Sequence, residues 1–162
     1  MNEIVVGVDL SPSAHAAMMW AAEQARATGK TLRAIHAVDL SPTFNMALGM
    51  GNVSVPMADS EMNNAYCKAV AAVYDSVRPE SGWQLKFLIG EAGPVLVAES
   101  VGAALLVVGT KEHVGIGRLI SGSVSHYCIS HAECPVVAVP ARPGREADQD
   151  HDLIPADTPA PS

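Results

Sequence analysis

The sequence predicts a doubly wound α/β domain: a five-stranded parallel open sheet with helices on both faces. Three observations carry this prediction. Five short, β-branched apolar runs alternate with four segments of helical spacing. The first strand, helix and second strand follow one another with short connections, which makes their strands parallel. The boundaries fall on Ser-Pro, Gly and Gly-Pro, residues that start or stop helices.

Taken in order, Glu3 to Val8 (EIVVGV) is too short for a helix and apolar on both faces, as a central parallel strand must be. Ser11 precedes Pro12, an N-cap followed by the residue best tolerated at the first helical position. Ala14, Ala17, Met18, Ala21 and Ala25 then recur at helical spacing until Gly29, so this helix packs close to the sheet through small residues. Thr31 to Val38 (TLRAIHAV) is the second strand. No period survives between Asp39 and Ser60, which reads as a long loop; such loops are lids and binding loops or are disordered. Its Met46, Met50 and Met57 suit an aromatic base and equally suit gap filling. Helical spacing returns through Ala65, Ala69, Ala72 and Val73 in Glu61 to Val77, and Trp83 to Ile89 follows as a strand. Gly93-Pro94 opens a short helix that Gly102 ends, and Leu105 to Gly109 is the fourth strand. A last helix, Val124 to His131, opens at Gly122-Ser123. Pro135 to Val139, bounded by Pro135 and Pro140, is a fifth strand suited to a sheet edge, where missing donors cost little.

The chain has 162 residues, 49% of them hydrophobic, enough for one core of ordinary size. From Ala141 onward Pro, Asp, Glu and Ala replace large apolar groups, so residues 1–140 read as one domain and 141–162 as a disordered acidic tail. A formal charge of −7 argues against nucleic acid and anionic membrane, both of which call for basic patches. With no signal-type start and no run near the ~18 apolar residues of a membrane span, a cytoplasmic protein is expected. Cys67, Cys128 and Cys134 lack metal-type spacing and fit free thiols in a reducing compartment.

The chemistry concentrates in Val107 to Ser125, VVGTKEHVGIGRLISGSVS. A strand ends at Gly109, a loop with Gly115 and Gly117 follows, and Gly122-Ser123 opens a helix. Glycines admit an anion close to the backbone, and a helix N-terminus offers unpaired N–H groups and a positive dipole end, so the stretch suits a phosphate. Gly117 to Ser123 has P-loop glycine spacing but no Lys before the Ser, and Gly115-Ile-Gly117 lacks the third glycine of a dinucleotide fingerprint. Lys111 and Arg118 are candidate charge partners in this loop, although loop cations are mostly solvated. Ser123 and Ser125 also serve as plain helix-capping residues. Asp9 ends the first strand, where a carboxylate either positions a ligand or bonds loop amides. It has no acidic neighbour, which excludes a receiver-type acidic pocket. His126 and His131 lie five apart rather than four, which disfavours a metal pair. His36, inside an apolar strand, reads as a satisfied core histidine. No nucleophile with its base is evident, while Cys128 and Cys134 are candidate redox targets.

Gly109-Thr-Lys-Glu, nine residues, then Gly122-Ser123-Val-Ser resembles the adenine-nucleotide motif of the universal stress protein family, G-x2-G-x9-G-[S/T]. The opening VVGVDLSPS and the closing HAECPVVAVP extend the resemblance over roughly residues 3 to 140. It departs at Glu112, which replaces the motif's second glycine, and at Leu10, where many members have Gly. The resemblance implies strand order 3-2-1-4-5, an order that topology alone leaves open. Strands one and four are then neighbours whose connections leave on opposite faces, opening a crevice at their carboxyl ends. Asp9 and Gly109 meet there. The resemblance further implies ATP or AMP as ligand, with Mg2+ near the phosphates, and a site formed by Asp9, Val38, Gly109, Thr110, Glu112, Gly122, Ser123, Val124 and Ser125. It implies a homodimer through Pro135 to Val139. The leading expectation is an adenine-nucleotide-binding switch or scaffold in the stress response. The alternatives are a dimeric interaction protein that binds no ATP and a slow nucleotide hydrolase or phosphotransferase.

Glu112 generates a prediction. At an effective dielectric near 20 and ~6 Å, its charge opposes one phosphate charge by about 3 kcal/mol, roughly a hundredfold in affinity. ATP binding by the native chain is expected to be weak or absent in calorimetry. Glu112→Gly is expected to strengthen it, by a margin that shrinks at high salt. Submicromolar ATP affinity unaffected by the substitution contradicts this.

Overall fold

The structure is a computed structural model that describes residues 2–39, 61–110 and 123–141, with side chains from 65 onward in the second stretch. The loop expected over 39–60 beyond Asp39, the glycine loop 111–122 and the tail beyond Ala141 lie outside the described residues. The elements run β1 (Glu3–Gly7), α1 (Pro12–Thr28), β2 (Thr31–Val38), α2 (Glu61–Ser76), β3 (Gln84–Ile89), α3 (Ala92–Glu99), β4 (Leu105–Thr110), α4 (Ser123–His131) and β5 (Val136–Pro140). The sheet order is β3-β2-β1-β4-β5, with every described pairing parallel.

Sequence boundaries and structure agree to within one or two residues. Ser11 caps α1 by accepting the Ala14 amide at 3.2 Å, and Gly29 ends it at φ +64°. That left-handed turn lets the Lys30 amide reach the Ala25 carbonyl at 2.9 Å, satisfying an end carbonyl as in a Schellman-type cap. β4 runs one residue further than the sequence indicates, through Thr110, which pairs with Pro140 of β5. Pro140 is tolerated in the ladder because β5 is an edge strand. Trp83 falls just outside β3 and is buried beside α1, with the Arg26 guanidinium 4.9 Å over its ring.

Alternation along the strands divides the core in two. Ile4 and Val6 of β1, Leu32 and Ala34 of β2 and Val107 of β4 face α1 and α2, meeting Ala17, Met18, Ala21, Val70 and Tyr74. Val5, Ile35, Leu106 and Val108 face the other way, onto Leu96 of α3 and Cys128 of α4. Burial on both faces explains why these strands read as continuous apolar runs. α1 contributes mostly alanines to its side, and a helix of small residues lies close against a sheet.

The amino-terminal end of the sheet is fastened by charge. Arg33 of β2 binds Glu3 of β1 at 2.7 Å and Glu99, the last residue of α3, at 3.0 Å; Lys86 of β3 approaches Glu99 at 3.9 Å. The Glu99 carbonyl accepts a further bond from Arg33. Arg33 Nε is buried without a partner, a cost that offsets part of what these half-buried pairs contribute.

Candidate functional site

Helices α1, α3 and α4 each begin at the carboxyl ends of the strands. Because β1 and β4 are neighbours while α1 covers one face and α4 the other, the chain parts between them. A cleft of about 740 Å3 opens there, within the size range of small-molecule sites. Asp9, Gly109, Ser123, Val124 and Ser125 all line it. Of the residues singled out from sequence, Val38 and Thr110 are not among its lining. Val38 gives its carbonyl to the Gly90 amide at 3.0 Å, and Thr110 is buried against β5. Their neighbours Ala37, Asp39 and Gly109 reach the cleft instead. Lys111, Glu112, Arg118 and Gly122 lie outside the described residues.

Gly109 has a structural duty separate from any ligand. A Cβ built on it would lie 2.6 Å from the Ser13 carbonyl carbon and 2.8 Å from the Ala14 nitrogen, both backbone atoms of the first turn of α1. Its φ is not left-handed; what the site requires is space. The end of β4 and the start of α1 touch backbone to backbone.

One Asp9 oxygen accepts the Ser11 amide at 2.7 Å, bracing the turn from β1 into α1. Asp9 therefore bonds a loop amide and lines the cleft at once. Ser11 and Ser13 approach each other through their hydroxyls at 3.3 Å. Tyr66 of α2 also lines the cleft; burial, the Asp9 carboxylate and Cys67 hold its phenol above the usual range. The Tyr66 ring lies 5.4 Å from that of His36. His36 is buried and satisfied: Nδ1–H donates to the Val8 carbonyl at 2.8 Å, which fixes the tautomer, while its ring contributes to the cleft wall. On the opposite wall Tyr127 of α4 packs onto Gly93 of α3, where a Cβ would come within 2.8 Å of the tyrosine ring. Glu91 occupies the N-cap position of α3 without making a side-chain capping bond.

Asp39, Tyr66, Glu91 and Tyr127 are among the lining residues that sequence reasoning missed. Nothing in the spacing marks the tyrosines, since a helical tyrosine at an apolar position reads as core. Glu91 carried a signal: it sits between the end of β3 and Gly93-Pro94, hence at the functional edge of the sheet. Cys128 offers no activated thiol. Cys128 is fully buried, and burial together with nearby Cys134 pushes its thiol up to about 11. Among the described residues no three His, Cys, Asp or Glu side chains gather to hold a metal, and His131 Nδ1–H is turned back onto the Tyr127 carbonyl at 2.9 Å.

The Gly109 contact is directly testable. Gly109→Ala forces α1 away from β4 and is expected to destabilise the fold by ~1–3 kcal/mol, as overpacking does. The expected observation is a lower urea midpoint with an unchanged slope; an unchanged midpoint contradicts the contact.

The sequence profile described as the universal stress protein family matches residues 1–140. Universal stress protein A homolog 1 of Coxiella burnetii is 30% identical over 143 residues, an overlap that covers 85% of this chain and 95% of that protein. The chain spans about half the length of the mycobacterial universal stress proteins it also matches. Among solved structures, a universal stress protein in complex with cAMP aligns with a TM-score of 0.58 at 21% identity, covering 85% of this chain and 95% of that one. The universal stress protein from Archaeoglobus fulgidus in complex with dAMP aligns with a TM-score of 0.56 at 22% identity, covering 86% and 98%. No helix among the described residues is long and apolar enough to cross a membrane. With its profile matched along residues 1–140 and its sheet in the order β3-β2-β1-β4-β5, the chain belongs to the universal stress protein family.

Proposed function

We propose that the chain binds an adenine nucleotide in the β1/β4 crevice and acts as a cytoplasmic, homodimeric switch or scaffold in the stress response. The observation that carries this is the meeting of Asp9, Gly109 and the α4 start, Ser123 to Ser125, at one cleft. A phosphate suits the positive dipole end at the start of α4, and the apolar wall beside Tyr66 suits a base. The cAMP and dAMP complexes of structurally similar proteins support that ligand class. Residues 1–140 act as the domain and 141–162 as a disordered acidic tail, a reading supported by the change in composition.

Asp9, Asp39 and Glu91 line the cleft but do not gather as a metal-binding group, so among the described residues no set of donors fits Mg2+ without help from the ligand's own phosphates. Catalysis is not part of this reading. A second reading, a dimer that binds no ATP, is favoured by one observation: Glu112 stands where the family motif has glycine.

Mass spectrometry of whatever the denatured protein releases, followed by calorimetric titration, tests the first reading. Gly122→Val is expected to abolish binding, since a β-branched side chain blocks backbone approach to phosphate. Unchanged affinity with an intact circular dichroism spectrum refutes that placement. Assembly is tested separately. β5 is a short apolar edge strand, and an uncovered edge of this kind pairs with another. Val137→Lys is expected to give monomers in sedimentation at micromolar concentration, where the native chain is dimeric. A native monomer excludes the dimer.

A further inference from the structure

One stripe of the core continues beyond the packed part of the sheet and becomes a wall of the cleft. Tyr66, Val70 and Tyr74 of α2 recur at intervals of four and so stand on one helix face. Val70 and Tyr74 are buried in the core, whereas Tyr66, one turn earlier, is 38% exposed and lines the cleft. The strands follow the same course. Leu32, Ala34 and His36 alternate onto this face of β2, and His36 stands opposite Phe87 in the register of β2 with β3. The His36 ring lies 5.4 Å from that of Tyr66, tilted by 46°, and 5.7 Å from that of Phe87, edge to face, both within the range of favourable aromatic pairs. Because His36 is tied to the Val8 carbonyl, Tyr66 is backed by a ring that cannot easily turn.

The phenol end of Tyr66 is also placed. Burial first, and then the Asp9 carboxylate, hold that phenol above its usual range, so it lies within the field of the residue that ends β1. Tyr127, on the other wall, is engaged differently. His131 stacks on its ring at 4.1 Å and 14°, and Gly93 lies against its Cβ-to-Cδ1 edge. One face of the Tyr127 ring is therefore already taken.

We infer that Tyr66 is the residue that positions the base: adenine packs on its ring at the α2 side of the cleft, with the sugar toward Asp9 and the phosphate toward the start of α4. The inference rests on the adenine reading of the cleft and adds the side chain that holds the base and the direction in which the ligand lies. An aromatic face recognises a base through its π-surface, whatever charge the ligand carries elsewhere. A ring already held by its neighbours loses little freedom when the ligand arrives, so little of that attraction is spent on ordering it. The contribution of Tyr66 is thus common to adenosine and its phosphates.

The test titrates adenosine and AMP calorimetrically into the full chain, into Tyr66→Phe and into Tyr66→Leu. In parallel, NMR of the native chain with tyrosine rings labelled looks for nuclear Overhauser contacts from the adenine ring protons. Contacts that vanish in the tyrosine-labelled Tyr66→Phe protein belong to Tyr66. Tyr66→Phe keeps the ring and is expected to stay within about threefold of native affinity. Tyr66→Leu is expected to weaken adenosine and AMP alike, by about tenfold to hundredfold, the scale of one base–aromatic stack. Unchanged affinity in Tyr66→Leu overturns the placement of the base and leaves the adenine reading intact. So does a loss in Tyr66→Leu with no contact between adenine and the Tyr66 ring, or an equal loss in Tyr66→Phe, which would assign the effect to the hydroxyl. If Tyr66→Leu does not fold, the presence or absence of the NMR contact in the native chain decides. Failure of both ligands to bind the native chain overturns the adenine reading, and this inference with it.

Discussion

The backbone contact between the end of β4 and the first turn of α1 is the constraint on which this molecule depends. Gly109 has no Cβ, so Ser13 and Ala14 lie where a side chain would otherwise stand. Only that closeness lets a helix of alanines bury the centre of the sheet, because short side chains leave no slack between backbone and backbone. The same contact brings Asp9, Ser11 and Gly109 to one side of the cleft. A glycine at this point therefore serves packing before it serves any phosphate.

The two ends of the sheet solve opposite problems. At the amino-terminal end, Arg33 joins Glu3 and Glu99 and draws Lys86 near, so strand, neighbouring strand and helix are tied by charge. At the carboxyl end Asp9, Asp39 and Glu91 line the cleft together with the first turns of α1, α3 and α4.

Much of the fold was legible in the sequence because its elements announce themselves locally. Ser11-Pro12 and Gly29 bracket α1 through hydrogen bonds spanning three to five residues, and β2 begins and ends where its apolar run does. Boundaries drifted by a residue where neighbours decide them: Thr110 joins β4 only because Pro140 lies opposite, and Trp83 leaves β3 for the core. The site was legible in part. Asp9, Gly109 and the α4 start sit at element ends, where spacing marks them. Tyr66, Glu91 and Tyr127 were not found, because a residue on a helix face or at a helix start becomes a cleft residue only once the helices are docked.

By itself, then, the sequence determined the periodicities, the caps and hence the order of elements along the chain, since these follow from backbone hydrogen bonding and side-chain shape within a few residues. It also carried the family motif, and with it the departure at Glu112. The tertiary structure decided what those pieces face. It gave Gly109 a partner in α1 and brought Ala37 and Asp39, the neighbours of Val38, to the cleft. It also surrounded that cleft with carboxylates from three separate connections. Proximity between residues distant in sequence is set by packing of the whole sheet, and no local pattern encodes it.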